Sequence, residues 1–171
     1  MDTLSIETAR LRMRPFEAGD VDELRRVFVD PGVRRFLLDD QIVSREWVEE
    51  EIAASTARFE KGSAGLFCVF LKEDKTLIGF CGFRPFFEPP ELQLLYGLLP
   101  AYWSKGLATE AARAMIEFGF EQLGFDRIVA RADAPNAASL RVLEKAGMVF
   151  NRRETINGLD TVFYVVGRGK D

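Results

Sequence analysis

A chain of 171 residues fits one ordinary domain over residues 1–171, and its 47% apolar and 29% charged residues suit a chain that buries a core rather than a disordered one. Lys and Arg total 23 against 27 Asp and Glu, a formal charge of −4, which speaks against a nucleic-acid partner held by phosphate neutralisation and against adhesion to an anionic membrane. Histidine is absent, which removes Ser-His-Asp and Cys-His catalysis, His-ligated zinc and imidazole acid-base chemistry.

Along the chain, Leu11 and Met13 alternate with Arg12 and Arg14 up to Pro15, the period of a half-buried strand that stops at proline. Asp20 and Glu23 have the spacing of a capping box, and Val21, Leu24, Val27 and Phe28 follow at helical spacing, which predicts one short helix. Ser44 offers a second N-cap before Trp47, Val48, Ile52 and Phe59, so a longer helix is expected to about Lys61, closed by Gly62. The period then changes. Leu66 to Leu71, Leu77 to Phe83 and Leu92 to Leu98 are apolar runs of strand length. Residues 72–75 read as a hairpin turn, and residues 84–91 as a loop, because Pro85, Pro89 and Pro90 cannot donate to a ladder.

A helix from about Ala108 to Leu123, a strand from Arg127 to Ala132 and a helix from Asn136 to Lys145 closed by Gly147 come next. A strand pair over 149–155 and 161–166 around Asn157-Gly158 completes a mixed α/β order, β-α-α-β-β-β-α-β-α-β-β. Cys68 and Cys81 lie in apolar runs without metal-ligand spacing and read as buried thiols. With no apolar run of about 18 residues and no signal-peptide core, a cytoplasmic location is expected.

The stretch from Leu95 to Glu110 carries the first chemical signal. A strand that ends in a loop of small residues before a helix leaves backbone N–H groups at the positive end of the helix dipole, a geometry suited to phosphate. Gly106 permits close backbone approach, Ala108 is small, and Thr109 and Glu110 occupy the first helical turn; a plain turn is the simpler reading of such a glycine. Downstream, Asn136 stands at a helix N-cap with Ser139 one turn in, so both reach the same helix end. A capping Asn and a solvated Ser are the plain alternative there.

Taken together, Glu7 to Phe16, Tyr102 to Ala111 and Asn136 to Met148 resemble the GCN5-related N-acetyltransferase superfamily, in particular its ribosomal-protein N-terminal acetyltransferases and their small-molecule-modifying relatives. The resemblance implies a central, mostly antiparallel sheet with helices on both faces and a splayed parallel strand pair that binds acyl-CoA. It implies acetyl-CoA as co-substrate and no metal. The N–H groups of Trp103, Ser104, Lys105, Gly106, Leu107 and Ala108 then fall on the pyrophosphate, with Thr109 a further cofactor-binding residue. The strand Leu94 to Leu98, held off its parallel neighbour by a bulge, pairs with the pantetheine and polarises the thioester carbonyl.

By the same resemblance Asn136 lies against the pantetheine arm and Ser139 near the sulfur, where a hydroxyl assists departure of the thiolate. Many relatives place a tyrosine one turn further on, where this chain has Leu143, which cannot donate a proton. A glutamate often serves as base at the position of Gln93, and an amide cannot take an ammonium proton. Glu91, on the same strand face, is the substitute; solvation of the loop end and proton loss through ordered water are the competing readings.

The expected activity is acetyl transfer to a primary amine, a protein N-terminus or a small molecule, by direct attack in a ternary complex, since the residues offer no activated nucleophile. A non-catalytic acyl-CoA-binding sensor is the alternative, and a monomer or homodimer is expected. The acceptor should lie at the splayed end of the strands, bordered by the first two helices and residues 84–91, whose Glu88 and Glu91 mildly favour an ammonium. Phe67, Phe70, Phe80 and Phe83 read as core, and Phe86 and Phe87 as lining for an acceptor pocket or cover for a partner subunit. Arg10, Arg12, Arg14, Arg34 and Arg35 read as solvated faces.

Overall fold

Leu11 and Met13 are fully buried while Arg12 is exposed, so the alternation in the sequence does set one face of a strand against a core. In the computed structural model, which describes residues 4–169, this strand is β2 (Leu11–Pro15), preceded by β1 (Ile6–Glu7). There follow α1 (Val21–Val29), α2 (Pro31–Leu37), α3 (Arg45–Glu60), β3 (Leu66–Leu71), β4 (Leu77–Phe86) and β5 (Glu91–Leu98). The chain continues through α4 (Leu107–Glu121), β6 (Arg127–Asp133), α5 (Ala137–Lys145), β7 (Val149–Ile156) and β8 (Leu159–Gly167).

The strands form one mixed sheet in the order β1-β2-β3-β4-β5-β6-β8-β7. Every neighbouring pair is antiparallel except β5 and β6. Alternate residues of the central strands feed two separate cores. Phe67, Cys81, Phe83 and Leu94 pack with Ala111, Met115 and Leu143 of α4 and α5, whereas Cys68 and Phe80 pack with Leu24, Phe28, Val48 and Ile52 of α1 and α3. Both thiols are free and buried, and burial pushes that of Cys81 up to about 12. Phe70 is only half-buried, under the Arg14 guanidinium. Among the described residues no helix is long and apolar enough to cross a membrane.

Four local expectations are corrected. Asp20 does not cap α1 through Glu23. Its carboxylate takes two hydrogen bonds from Arg14, at 2.7 and 2.9 Å, and one from the Glu17 N–H at 2.7 Å, so the capping box spans Glu17 and Asp20 and Arg14 is no solvated side chain. Two helices rather than one follow β2, because Asp30 leaves helical geometry and recaps the chain by accepting the Gly32 N–H at 2.8 Å, with Pro31 at the first helical position.

Residues 84–86 are strand, not loop. Pairing of β3 with β4 ends at Leu66↔Gly82, while β4 stays paired with β5 as far as Phe86↔Glu91, so Pro85 costs the sheet no bond on the side where β3 has ended. Finally, the β4–β5 register runs unbroken from Gly79↔Leu98 to Phe86↔Glu91, so no bulge in that pairing displaces β5. β6 likewise keeps an unbroken register, with β8 from Arg127↔Gly167 to Asp133↔Thr161. It meets β5 at the single parallel bridge Gln93↔Val129, beyond which Leu94–Leu98 and Ala130–Asp133 separate.

Candidate active site

The end of β5 is tied off by Trp103, whose indole N–H donates to the Leu98 carbonyl at 2.7 Å across the short turn Pro100–Tyr102. Ser104 and Gly106 both take positive φ, 61° and 78°, and Gly106 is the N-cap of α4. No side chain caps that helix, and its first backbone bond runs from the Glu110 N–H to the Gly106 carbonyl at 3.0 Å; the Trp103 N–H, expected to be free, donates instead to the Pro100 carbonyl at 3.1 Å, while among the described residues the N–H groups from Ser104 to Thr109 have no backbone partner. A Cβ at Gly106 would meet only Arg10 Nη2, at 3.4 Å. Arg10 donates to the Lys105 carbonyl at 2.8 Å and pairs with Glu110 at 2.8 Å, which leaves a cation beside the amides and makes Arg10 part of the loop's frame.

The small side chain of Ala108 and the half-buried Thr109 lie on the helical wall beside this loop. Leu107 is buried and anchors the helix, and the Leu98 side chain is buried in the α4 core. A groove of about 840 Å³ runs from Gly106 and Thr109 along α4 to β1, away from β5.

The split between β5 and β6 is bridged by a side chain that the sequence reading passed over. Tyr96 shares a hydrogen bond with Ser139 Oγ at 2.8 Å, and its hydroxyl donates to the Ser139 carbonyl at 3.0 Å. Burial pushes the Tyr96 phenol well above its ordinary pKa, so it stays protonated. Asn136 caps α5 by accepting the Ser139 N–H at 3.3 Å. Leu143 is fully buried in the core.

Glu91 and Gln93 share the opposite sheet face. The buried Gln93 amide donates to Glu91 Oε1 at 3.0 Å. Glu91 is thus not brought to Ser139: five residues of strand separate it from Tyr96, about 17 Å at 3.3–3.4 Å per residue, with the side chains on opposite faces. On the Glu91 side, Arg84 pairs with Glu51 through two bonds of 2.9 and 2.8 Å. Arg131 stands over the rings of Phe86 and Phe87, at 4.8 and 4.7 Å from their centroids. Among the described residues no cluster of three or more His, Cys, Asp or Glu could hold a metal ion.

Comparison with known proteins gives the class to which this split sheet belongs. Residues 10–149 match the acetyltransferase (GNAT) domain family. The uncharacterized N-acetyltransferase YnaD of Bacillus subtilis is 31% identical over 151 residues, 88% of this chain and 84% of YnaD. The crystal structure of a GNAT-family acetyltransferase from Bacillus anthracis superposes with a TM-score of 0.80 at 25% identity, covering 96% of this chain and 98% of that one. The ribosomal α-N-protein acetyltransferase RimL, in complex with coenzyme A, shares the fold with a TM-score of 0.81 at 17% identity, over 96% and 98% of the two chains. The chain belongs to the GNAT family of acetyltransferases and is an enzyme of that class.

Tyr96 and Arg131 are the site residues that sequence reasoning missed. Their signal was a single polar tip in an otherwise apolar strand run, and a charge flanked by Ala130 and Ala132 in a strand.

Proposed function

We propose that residues 1–171 form one N-acetyltransferase domain that carries an acetyl group from acetyl-CoA to a primary amine by direct attack in a ternary complex. The observation that carries this reading is the β5–β6 split, which opens one residue past Gln93 and leads to the uncapped start of α4. Acetyl-CoA supplies the activated acyl group as a thioester. Its fit rests on the cradle at Gly106, which a side chain would fill, and on the unpaired edge of β5.

The chain's own residues have distinct parts. Amides from Ser104 to Thr109 hold the pyrophosphate, in a loop that Arg10 braces through the Lys105 carbonyl and Glu110. The free edge of Leu94–Leu98 orients the pantetheine and donates to the carbonyl oxygen as negative charge develops there. Ser139 donates a hydrogen bond to the departing sulfur, which leaves as a thiolate and is protonated from water, with Tyr96 holding Ser139 in place. The acceptor amine loses its proton to ordered water leading towards Glu91, which lies too far along β5 from Tyr96 and Ser139 to take it directly, while Gln93 fixes the Glu91 carboxylate.

The test measures acetyl-CoA binding by calorimetry, then free-thiol release with amines, amino acids and peptides. Binding followed by amine-dependent thiol release is expected. Absence of binding overturns the proposal, and binding without release across the panel replaces it with a sensor.

A further inference from the structure

Arg131 is an unusual investment for a strand. It sits two residues past the Gln93↔Val129 bridge, on the sheet face of Gln93 and Glu91, where the two strands have begun to part. Its guanidinium is half-buried and stands over both the Phe86 and Phe87 rings, which restrains it and removes part of its hydration. Among the described residues it has no hydrogen-bond acceptor and no ion-pair partner, in contrast to Arg84 beside it, which is fully engaged by Glu51. Three carboxylates, Asp133, Asp39 and Glu91, add favourable potential around it without reaching ion-pair distance. Asp133 is itself half-buried; burial and the neighbouring Asp39 hold its carboxyl above the ordinary value.

Among the described residues the site therefore presents a guanidinium without an acceptor and, in Asp133 and Asp39, carboxylates without a donor, while Glu91 is held by Gln93. A simple amine would satisfy only the carboxylates, and a simple anion only the guanidinium. A planar guanidinium matches the two oxygens of a carboxylate. We infer that the acceptor is a zwitterionic α-amino acid, its carboxylate held by Arg131 over the two phenylalanine rings and its ammonium by the surrounding carboxylates, beside the split. A protein N-terminus carries an amide in place of that carboxylate and leaves Arg131 without its partner. The inference rests on the acetyltransferase reading above and narrows the acceptor within it.

The experiment compares free amino acids with their amides and their decarboxylated amines in the thiol-release assay, for the parent chain, Arg131→Gln and Arg131→Lys. In parallel, saturation-transfer NMR follows binding of the twenty amino acids to the CoA-loaded chain. The expected result is kcat/KM at least tenfold higher for one or more amino acids than for the matched amide and amine. Arg131→Gln should erase that preference by weakening the acid alone, with acetyl-CoA affinity unchanged, and Arg131→Lys should restore part of it.

Amides, amines or peptides turned over as well as the acids, or an equal loss for acid and amide in Arg131→Gln, overturn the inference while acetyl transfer stands. So does the absence of saturation transfer from every amino acid. Saturation transfer that disappears in Arg131→Gln, with no amine-dependent thiol release, keeps the binding site and removes the acetyltransferase reading.

Discussion

The hydroxyl of Ser139 has two claims on it, the Tyr96 phenol at 2.8 Å and, in the proposed reaction, the departing sulfur. A group acting mainly in the transition state appears in kcat rather than in cofactor affinity, so Ser139→Ala should lower kcat roughly tenfold. That is below the usual 10²–10⁴ of general acid catalysis, because a thiolate leaves readily. Tyr96→Phe keeps the ring and removes the phenol, and a fall of about threefold in kcat is expected. In the Ser139→Ala background the same change should do nothing further, a double-mutant cycle that separates positioning of Ser139 from simple packing. Gly106→Glu tests the other end of the cofactor: at φ 78° any side chain is strained by about 1 kcal/mol, and the added carboxylate would point into space meant for phosphate. Loss of acetyl-CoA binding in a calorimeter, with a cooperative melt retained, is the expected outcome.

Among the elements, the joint formed by β2, the Ala18–Asp20 turn and β3 depends on one carboxylate. Burial works to raise the Asp20 pKa, but hydrogen bonds from Arg14 and the Glu17 N–H outweigh it and hold the group below its ordinary value. A folded value below the unfolded one means that its stabilisation is present above about pH 4 and is lost as pH falls through the depressed value. Asp20→Asn should cost about 1–3 kcal/mol at neutral pH by leaving Arg14 half-buried without its counter-charge, and this difference should shrink below pH 4 in urea titrations. Helix α2 is tied to the cofactor loop in a different way. A Cβ on Gly32 would come within 2.7 Å of Pro100 and 2.8 Å of the Trp103 ring. Gly32→Ala should therefore push Trp103 off the Leu98 carbonyl and weaken acetyl-CoA binding several-fold, although α2 lies on the Glu91 side of the sheet. This helix was not legible in the sequence, because Pro31-Gly32 reads equally well as a turn and seven residues carry too little periodicity. The capped 16-residue α3 was.

On the scale of the whole molecule, long periodic segments gave the element order, and Glu7 to Phe16, Tyr102 to Ala111 and Asn136 to Met148 together carried the family resemblance. What was hidden depends on distance through space. Tyr96 and Ser139 are 43 residues apart, and Phe86, Phe87 and Arg131 meet only because β4 and β6 flank β5. Pro85 misled because a proline's cost depends on whether a neighbour strand is there to be denied a bond, which is a property of β3, not of the proline. The breach beside Gln93 has a kinetic meaning as well. In the proposed reaction cofactor contacts come from the α4 and α5 side and acceptor contacts from the α1 and α3 side, so the two reactants would use separate doors and neither would block the other's exit. Initial-rate lines should intersect rather than run parallel, and free CoA should compete with acetyl-CoA but not with the amine. The amine should also be able to bind before or after the thioester, so that traffic through the enzyme has no obligatory queue.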